Sequence, residues 1–315
     1  MGNKILFITP TFFDYWKLIK KGLEDEGYEV DVISSPKSFI YKLLEFKFAN
    51  SNFFHNYRHH IYQKYLNKLS FNYNIILVIE ASLLPADFLV NLRKRLPNAR
   101  YIQYLWDDIS IDSKSVDTFK YFDKVLSFNK YDCDKYHLIW RPFFYNYVRP
   151  ITTTREIDLF YVASYKNERF TLVKGLISYA NKNNLKFRFI LKSSVFLFLS
   201  KIEHLKYISI FSRRGITYEE MMEYLSMSKC SIEMPHRGQI GLTTRPFESL
   251  ATRTKVITTN KDIVNYDFYH PDNILVVDSE NIEIPTDWLF KPYVELPDCV
   301  IKNYSLEQFI VDILK

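Results

Sequence analysis

The sequence predicts an α/β protein with two doubly wound parallel sheets, and three observations lead to this prediction. Short, continuous apolar runs recur along the chain, most are followed by enough residues for a crossover helix, and a polar passage separates them into two series. Continuous apolar runs, as opposed to alternating ones, indicate strands that are buried on both faces, as in parallel sheets. The chain has 315 residues, of which 47% are hydrophobic, so two domains can each build a core.

The first series of strands precedes residue 130. It consists of the five runs KILFIT, YEVDVI, NIILVIE, RYIQYLW and KVLSF. A passage with prolines follows, from Arg141 to Pro150, and then the polar run ITTTRE. These features predict a Rossmann-like domain over residues 1–150.

The second series predicts another Rossmann-like domain, over residues 151–300. Its strands are DLFYVAS, FRFIL, YISIF, CSIEM, KVITT and NILVV. Thr217 and Glu220 form a capping-box pattern that opens a helix over TYEEMMEYL. The amphipathic segment SLEQFIVDILK predicts a C-terminal helix within residues 301–315. Two sheets joined in this way are expected to face each other across an interdomain cleft, where open α/β sheets bind ligands.

The segment between CSIEM and KVITT carries the residue types of an anion-binding site, namely His236, Arg237, Thr243, Thr244 and Arg245. Thr244 fits the N-cap of a helix that is followed early by a proline. At such a helix start, unpaired backbone N–H groups and the positive end of the dipole attract a diphosphate. His236 and Arg237 either bind the phosphate or sugar part of such a ligand or serve only the local structure.

Arg245 and Glu248 lie on nearly the same face of this predicted helix because they are three residues apart. The arginine can offer a bidentate fork to phosphate, and the carboxylate can accept hydrogen bonds from ribose hydroxyls. The alternative is an ordinary ion pair within a capped helix.

Four carboxylates follow predicted strands of the first domain: Asp14, Glu80, Asp107 and Asp108. Asp14, Glu80 and Asp108 are candidates for a general base that takes the proton of an acceptor hydroxyl. The adjacent acids Asp107 and Asp108 repel each other, which can raise one pKa toward that of a base. The alternatives are helix capping, a solvated loop charge or, for Glu80, binding of a sugar hydroxyl.

Other features limit the class of protein. Cys133, Cys230 and Cys299 are odd in number and widely separated, which favours a reducing compartment and no zinc site. Asp132-x-Asp134 is the one formal match to a metal-binding pair, and its position at a helix start indicates a structural role. No signal-peptide pattern and no run of ~20 apolar residues is present. We therefore expect a cytoplasmic chain without a metal.

The segment from Lys37 to Lys68 is basic and aromatic, with six Lys or Arg, one acid and nine Phe or Tyr. It suits an anionic membrane surface, which its basic residues would meet at lipid phosphates. Six aromatic residues would rest at the bilayer boundary: Phe46, Phe48, Phe53, Phe54, Tyr57 and Tyr62. The alternative is a helical part of the domain core. Nucleic acid is not expected, because the rest of the chain is nearly charge-balanced and carries no nucleic-acid motif.

Two elements of the second domain resemble a known family. DLFYVASYKNERF is similar to the strand-plus-Arg element, and TTRPFESLATRTKVITTN to the R-x-F-E-x-L-A element, of bacterial capsular, lipopolysaccharide and spore-maturation-type glycosyltransferases of GT-B fold. The resemblance covers about residues 156–280. It implies diphosphate contacts from Arg169 and Arg245 and a ribose contact from Glu248. The nucleobase would lie beside the loop that carries Arg213. The side chain of Arg213 either reaches the nucleotide or is only solvated.

The resemblance implies a glycosyltransferase without a cofactor, which moves a sugar from a nucleotide diphosphate sugar, with UDP favoured. The acceptor would be a hydroxyl of a growing cell-surface polysaccharide or of a polyprenyl-diphosphate-linked glycan, at the inner face of the membrane. Retaining enzymes often carry a glutamate eight residues before Glu248, where this chain has Ile240, so the stereochemistry stays open. The alternatives are a nucleotide-sugar epimerase of similar fold and a catalytically silent, membrane-docked scaffold.

Overall fold

The chain divides into two compact units, which we call the first unit (residues 1–142 and 306–315) and the second unit (residues 143–305). The computed structural model describes residues 3–10, 14–34, 47–48, 51–70, 72–146, 154–193, 202–235, 238–278 and 282–315. Each unit contains a six-stranded, wholly parallel sheet. The predicted α/β class is therefore confirmed.

The sheet of the first unit has the order β2-β1-β3-β4-β5-β6. Its strands are β1 (Lys4–Thr9), β2 (Glu29–Ser34), β3 (Ile75–Ile79), β4 (Arg100–Leu105), β5 (Lys124–Ser127) and β6 (Ile139–Trp140). The first five coincide with the predicted apolar runs. The sequence did not indicate β6, because an exposed edge strand of two residues has no apolar run to mark it.

Helices cover both faces of this sheet. They are α1 (Tyr15–Asp25), α2 (Asn52–Lys68), α3 (Ala86–Arg95) and α4 (Lys130–Tyr136), and the 3₁₀ helices span Ala81–Leu83 and Ser113–Tyr121. Leu6 and Val78 on one face of the sheet belong to the same buried cluster as Tyr62 of α2 and Phe88 of α3. Burial of this alternate set of strand residues fixes which face of β1 and β3 meets α2 and α3.

The sheet of the second unit has the order β12-β11-β10-β7-β8-β9. Its strands are β7 (Ile157–Ser164), β8 (Phe187–Lys192), β9 (Phe211–Ser212), β10 (Ser228–Glu233), β11 (Lys255–Thr258) and β12 (Ile274–Val276). The predicted strand YISIF is wrong in most of its length. Ile208–Ile210 form a 3₁₀ helix and Ile208 is 59% exposed, so only Phe211 and Ser212 pair with β8.

The helices of the second unit include the one predicted from a capping box. They are α5 (Asn167–Lys182), α6 (Ile202–Leu205), α7 (Tyr218–Ser226), α8 (Arg245–Ala251), α9 (Thr286–Phe290) and α10 (Asp298–Lys302). The backbone N–H of Glu220 donates to Thr217 Oγ1 (3.1 Å), and that of Thr217 donates to Glu220 Oε2 (2.7 Å). This reciprocal pair confirms the predicted start of α7.

The last helix, α11 (Leu306–Leu314), belongs to the first unit. The ring of Phe309 meets that of Tyr104 edge-on, with 5.0 Å between centroids. A Cβ added at Gly22 of α1 would lie 3.1 Å from Ile310 Cγ1, so the two helices pack closely. The C-terminal segment therefore completes the core of the first unit.

The strand order reverses direction once in each sheet, between β1 and β3 in the first unit and between β7 and β10 in the second. At such a switch point the connecting chain leaves the two neighbouring strands on opposite sides. A crevice forms beyond their carboxyl ends, and open α/β sheets bind ligands there. The topology thus defines one expected binding position in each unit.

Candidate functional site

Two arginines follow the strands that flank the switch point of the second unit. Arg169 lies in the first turn of α5, after β7, and its Nη1 donates to the carbonyl of Ser164, the last residue of that strand (3.1 Å). Arg245 is the first residue of α8, after β10, and its guanidinium carbon lies 5.9 Å from the ring centroid of Phe160 on β7. The topology therefore brings both cations to the carboxyl edges of adjacent strands.

Arg245 forms an ion pair with Glu248. Arg245 Nη1 donates to Glu248 Oε2 over 2.9 Å, the arginine side chain is 13% exposed, and the glutamate side chain has no exposed surface. Since guanidinium has five N–H donors, Arg245 keeps donors beyond this bond for an anion. Glu248 lies behind it, and its contact with ribose stays a prediction.

The loop before α8 is fixed by Thr243 rather than by Thr244. Thr244 occupies the N-cap position, as predicted, but its helical backbone angles (φ −67°, ψ −22°) differ from the extended ones of a capping side chain, and it makes no side-chain cap bond. Thr243 Oγ1 instead accepts from the backbone N–H of Arg245 (3.3 Å) and donates to Glu233 Oε1 (2.9 Å).

Glu233 anchors this loop from the end of β10. It is 3% exposed and accepts hydrogen bonds from the hydroxyls of Thr243 and Thr258, and its burial raises its pKa. Glu233 is not among the site residues that the sequence predicted. A glutamate at the end of a buried apolar run was the signal that could have drawn attention to it.

Tyr161 on β7 is a second residue that the sequence did not indicate. Its hydroxyl is buried and finds no hydrogen-bond partner among the residues that the structure describes. Burial raises the pKa of Tyr161 to about 12, and Arg169, Glu233 and Arg245 all act on it electrostatically. The phenol therefore lies among the charged groups of the switch point.

Arg213, another predicted donor residue, is not part of this cluster. Arg213 is exposed at the carboxyl end of β9, the edge strand two positions from β7. Its neighbour Arg214 pairs with Glu220 (2.5 Å) at the surface. His236 and Arg237 lie outside the described residues.

The first unit has a pocket of about 120 Å³ at its own switch point. Its walls come from the carboxyl ends of β1, β3 and β4, from α1 and from the turn after β3. The lining residues are Thr9, Pro10, Tyr15, Trp16, Ile19, Ile79, Glu80, Leu83, Trp106 and Asp107. Glu80 is the one predicted base candidate among them.

Glu80 is buried and fastened to the end of β4. It is 5% exposed, its φ is 55° in the left-handed region, and its Oε1 accepts from the backbone N–H groups of Trp106 and Asp107 (2.8 Å for Asp107). Burial raises the pKa of Glu80 to about 8 against these two hydrogen bonds. A non-glycine residue in this conformation is strained and is typical of functional sites.

Asp14 and Asp108 have other surroundings. Asp14 occupies the N-cap position of α1 and forms a partly exposed ion pair with Lys17 (2.7 Å). Asp108 is completely buried, and its carbonyl accepts from the backbone N–H groups of Ile111 (2.9 Å) and Asp112 (3.1 Å). Neither belongs to the lining of this pocket.

Asp132 is buried at the start of α4. It is 3% exposed, and its Oδ2 accepts from the backbone N–H of Ile109 (2.8 Å) and from Asn129 Nδ2 (3.2 Å). These bonds tie the first turn of α4 to the turn after β4.

The aromatic segment divides between core and surface. Phe54 and Tyr62 are 3% and 2% exposed, and Tyr62 belongs to the core cluster, so their predicted place at a bilayer boundary is wrong. They lie on the inward face of α2. Phe48 (46%) and Phe53 (62%) are exposed, whereas Phe46 lies outside the described residues. Within the described part of the chain no helix is long and apolar enough to span a bilayer.

No protein-family model matches the sequence, and no curated protein matches it either. Solved structures are similar. An α-glucosyltransferase in complex with UDP and a 13-mer DNA containing a central A:G mismatch has a TM-score of 0.56 and 13% identity, over 99% of this chain and 94% of that one. Os79 from O. sativa, in complex with UDP, has a TM-score of 0.51 and 8% identity, also over 99% and 94%.

These similarities define the class of fold. The protein has the two-domain α/β GT-B fold, with one six-stranded parallel sheet in each domain. At such low identity the likeness extends to the fold alone, and function must be argued from the residues.

Proposed function

We propose that the protein is a glycosyltransferase that takes a sugar from a nucleotide diphosphate sugar, with UDP as the nucleotide. One observation carries the proposal: Arg169 and Arg245 follow the two strands at the switch point of the second unit. Two guanidinium groups there can hold a diphosphate through charge-assisted hydrogen bonds. The GT-B fold supports this assignment, since similar structures contain UDP.

The arginines would also serve the chemical step. Breaking the bond between the sugar and the nucleotide leaves negative charge on the diphosphate, and fixed cations stabilise that charge in the transition state. Glu248 keeps the guanidinium of Arg245 in place through the 2.9 Å bond. A contact with ribose requires its carboxylate, which has no exposed surface, to become exposed when the donor binds. We retain Thr243, Thr244, His236 and Arg237 as donor-binding candidates, and for Arg213 we adopt the solvated alternative, because its side chain is exposed just after the edge strand β9.

The proposed acceptor is a hydroxyl of a growing cell-surface polysaccharide or of a lipid-linked glycan, and the sugar moved is a hexose, without a metal. The exposed side chains of Phe48, Phe53, Lys64 and Lys68 support docking at an anionic membrane surface. Helix α2 contains no acidic residue that would oppose such a contact. The protein would then work as a peripheral enzyme at the cytoplasmic face.

Thermal shifts with UDP, GDP, CMP and ADP test the donor site. A nucleotide at ~100 times its dissociation constant stabilises the protein by ~2.7 kcal/mol, which is several degrees in Tm. We expect a selective shift with UDP that is weakened in Arg245→Ala and kept in Arg213→Ala. A wild-type protein that responds to no nucleotide would contradict the proposal and favour the silent scaffold.

Product analysis separates transfer from epimerisation. An epimerase converts UDP-glucose to another UDP-hexose without any acceptor, whereas a transferase releases UDP only with acceptor or, slowly, with water. Incubation of the protein with UDP-glucose alone, followed by chromatography of the nucleotides, therefore distinguishes the two. A second UDP-hexose would assign the epimerase.

A further inference from the structure

The pocket of the first unit is small and open at its rim. It measures about 120 Å³, somewhat less than the cavity of about 150 Å³ that holds one benzene ring, so it can receive one face or edge of a six-membered ring. It lies where the carboxyl ends of β1 and β3 diverge, which is the expected ligand position of that sheet. Its floor is apolar, since Ile19 is fully buried and Ile79 is 4% exposed.

Aromatic rings form one side of the pocket. The rings of Tyr15 and Trp106 lie 5.4 Å apart at 51°, and Trp16 also lines the pocket. Leu83, which is 45% exposed, lies at the rim. A wall of this kind binds the apolar face of a ring, and the few polar groups select for a hydroxyl. A pyranose has both features, namely a face of C–H groups and a rim of hydroxyls.

The carboxyl group of Glu80 has one oxygen fixed and one available. Both backbone N–H groups, from Trp106 and Asp107, donate to Oε1. Among the described residues no group donates to Oε2, although Glu80 lines the pocket. A purely structural tie to β4 would need only Oε1. The second oxygen is therefore in place to receive a hydrogen bond from a ligand.

We propose that this pocket binds a pyranose ring of the acceptor and that Glu80 takes the proton from its reacting hydroxyl; this rests on the proposed function. The O–H proton moves to Oε2 of the carboxylate. The acceptor oxygen then forms a bond to the anomeric carbon of the donor sugar, the bond from that carbon to the diphosphate breaks, and its electron pair leaves with UDP. A carboxylate is consumed and a carboxylic acid is formed, which returns its proton to solvent.

The surroundings of Glu80 make it a stronger base than an exposed glutamate. Burial raises its pKa to about 8, and the neighbouring acids Asp107 and Asp112 act in the same direction. A base whose pKa lies near the working pH transfers protons most effectively. Because only the carboxylate accepts a proton, kcat/KM should rise with pH up to about 8.

The matched variant is Glu80→Gln, because the amide oxygen can accept the same two N–H bonds while the group no longer takes a proton. We expect kcat to fall roughly 100- to 10,000-fold, the usual contribution of general base catalysis. The rise of kcat/KM with pH should disappear, and the thermal shift with UDP should be unchanged. A variant that keeps more than a tenth of the wild-type kcat would overturn the proposal while leaving the donor site intact.

Binding of the acceptor is measured without turnover, through tryptophan fluorescence in the presence of UDP. Trp16 and Trp106 line the pocket, and Trp140 on β6, which does not line it, is the control. Titration with methyl glycosides of glucose, galactose and N-acetylglucosamine should change the fluorescence in the wild type and in Trp140→Phe, and the change should be lost in Trp106→Ala. Binding of simple phenols but of no glycoside would assign an aromatic alcohol and overturn the proposal.

Failure of this inference is distinguishable from failure of the proposed function. If UDP raises the Tm of the wild type but Glu80→Gln has the same kcat as the wild type, only the assignment of Glu80 as the base fails. If UDP does not change the Tm, the proposed donor site of the second unit fails. If the Tm of Glu80→Gln falls sharply, Glu80→Asp, which keeps the charge, serves as the second variant, and full activity in that variant with its shortened side chain would contradict the proposed geometry.

Discussion

Arg245 Nη1 donates a 2.9 Å hydrogen bond to Glu248 Oε2, and the glutamate of this pair has no exposed surface. Arg245, whose side chain is 13% exposed, therefore keeps a small accessible surface at the start of α8, while Glu248 supports it from within. The pair is therefore expected to contribute both to folding stability and to donor binding. Variants of the two residues should separate the contribution to stability from the contribution to affinity.

The buried pair predicts an asymmetric effect on stability. Arg245→Ala takes away the guanidinium that faces the buried Glu248 carboxylate, which costs on the order of 3 kcal/mol in such pairs. Adding Glu248→Gln should recover much of this loss, because a neutral amide is cheaper to bury. Urea unfolding of the two variants checks this, and equal stability of the single and the double variant would contradict it.

Donor affinity depends on the same arginine. Arg245→Ala should weaken UDP binding by about 1.5–3 kcal/mol, the range for a hydrogen bond to a charged group, which is roughly 10- to 150-fold in Kd. Calorimetric titration with UDP measures this. Arg213→Ala is the matched control because that side chain is exposed just after the edge strand β9. A similar loss in both variants would point to general charge and not to a site.

The ribose contact of Glu248 makes a separate prediction. If the carboxylate accepts hydrogen bonds from ribose, Glu248→Gln should weaken binding of UDP several-fold more than binding of inorganic diphosphate. If Glu248 only orients Arg245, both ligands should lose affinity alike. Competition binding with the two ligands decides between these roles.

The stability of the first unit should depend on pH through Glu80. Its pKa is about 8 in the folded chain, against an ordinary value of 4.5. Between these values the folded state keeps a proton that the unfolded state has released, so rising pH removes stability across this window. Glu80→Gln cannot ionise, and its Tm relative to wild type should be higher at pH 9 than at pH 4. A difference that is independent of pH would contradict this.

Two glycines, Gly22 under α11 and Gly175 on the surface of α5, predict opposite effects on stability. Gly22→Leu should destabilise the first unit by about 1–3 kcal/mol, because even a Cβ there lies 3.1 Å from Ile310 Cγ1. Gly175→Ala, in the exposed face of α5 with no atom within 4 Å, should stabilise its helix by about 0.5–1 kcal/mol. Urea unfolding measures both, and a neutral Gly22→Leu would mean that α11 is not closely packed.

Membrane docking is tested by a pair of exposed phenylalanines. Phe53→Ser should reduce sedimentation with phosphatidylserine-containing vesicles several-fold, because its side chain is 62% exposed on the basic helix α2. Phe290→Ser is the control, since Phe290 is 54% exposed but lies in the second unit. Equal binding of both variants to the vesicles would exclude Phe53 from the contact.

The sequence by itself determined the local elements of this protein. Eleven strands were predicted, and ten of them form at the predicted places because a strand buried on both faces needs a continuous apolar run. The capping box at Thr217 and Glu220 is equally local, since its hydrogen bonds join residues three apart. The two doubly wound α/β domains followed from this pattern of strands and helices.

Only the tertiary structure determined which side chains are buried, and burial in turn raised the pKa of Glu80. Phe53 and Phe54 are neighbours of the same type, yet the first is exposed and the second is core, because the phase of α2 is set by what it packs against. In the sequence Glu80 is one of several acids at strand ends. The order of the strands places it in a pocket beside Trp106. Its raised pKa comes from desolvation by residues distant in sequence, and local patterns do not encode such contacts.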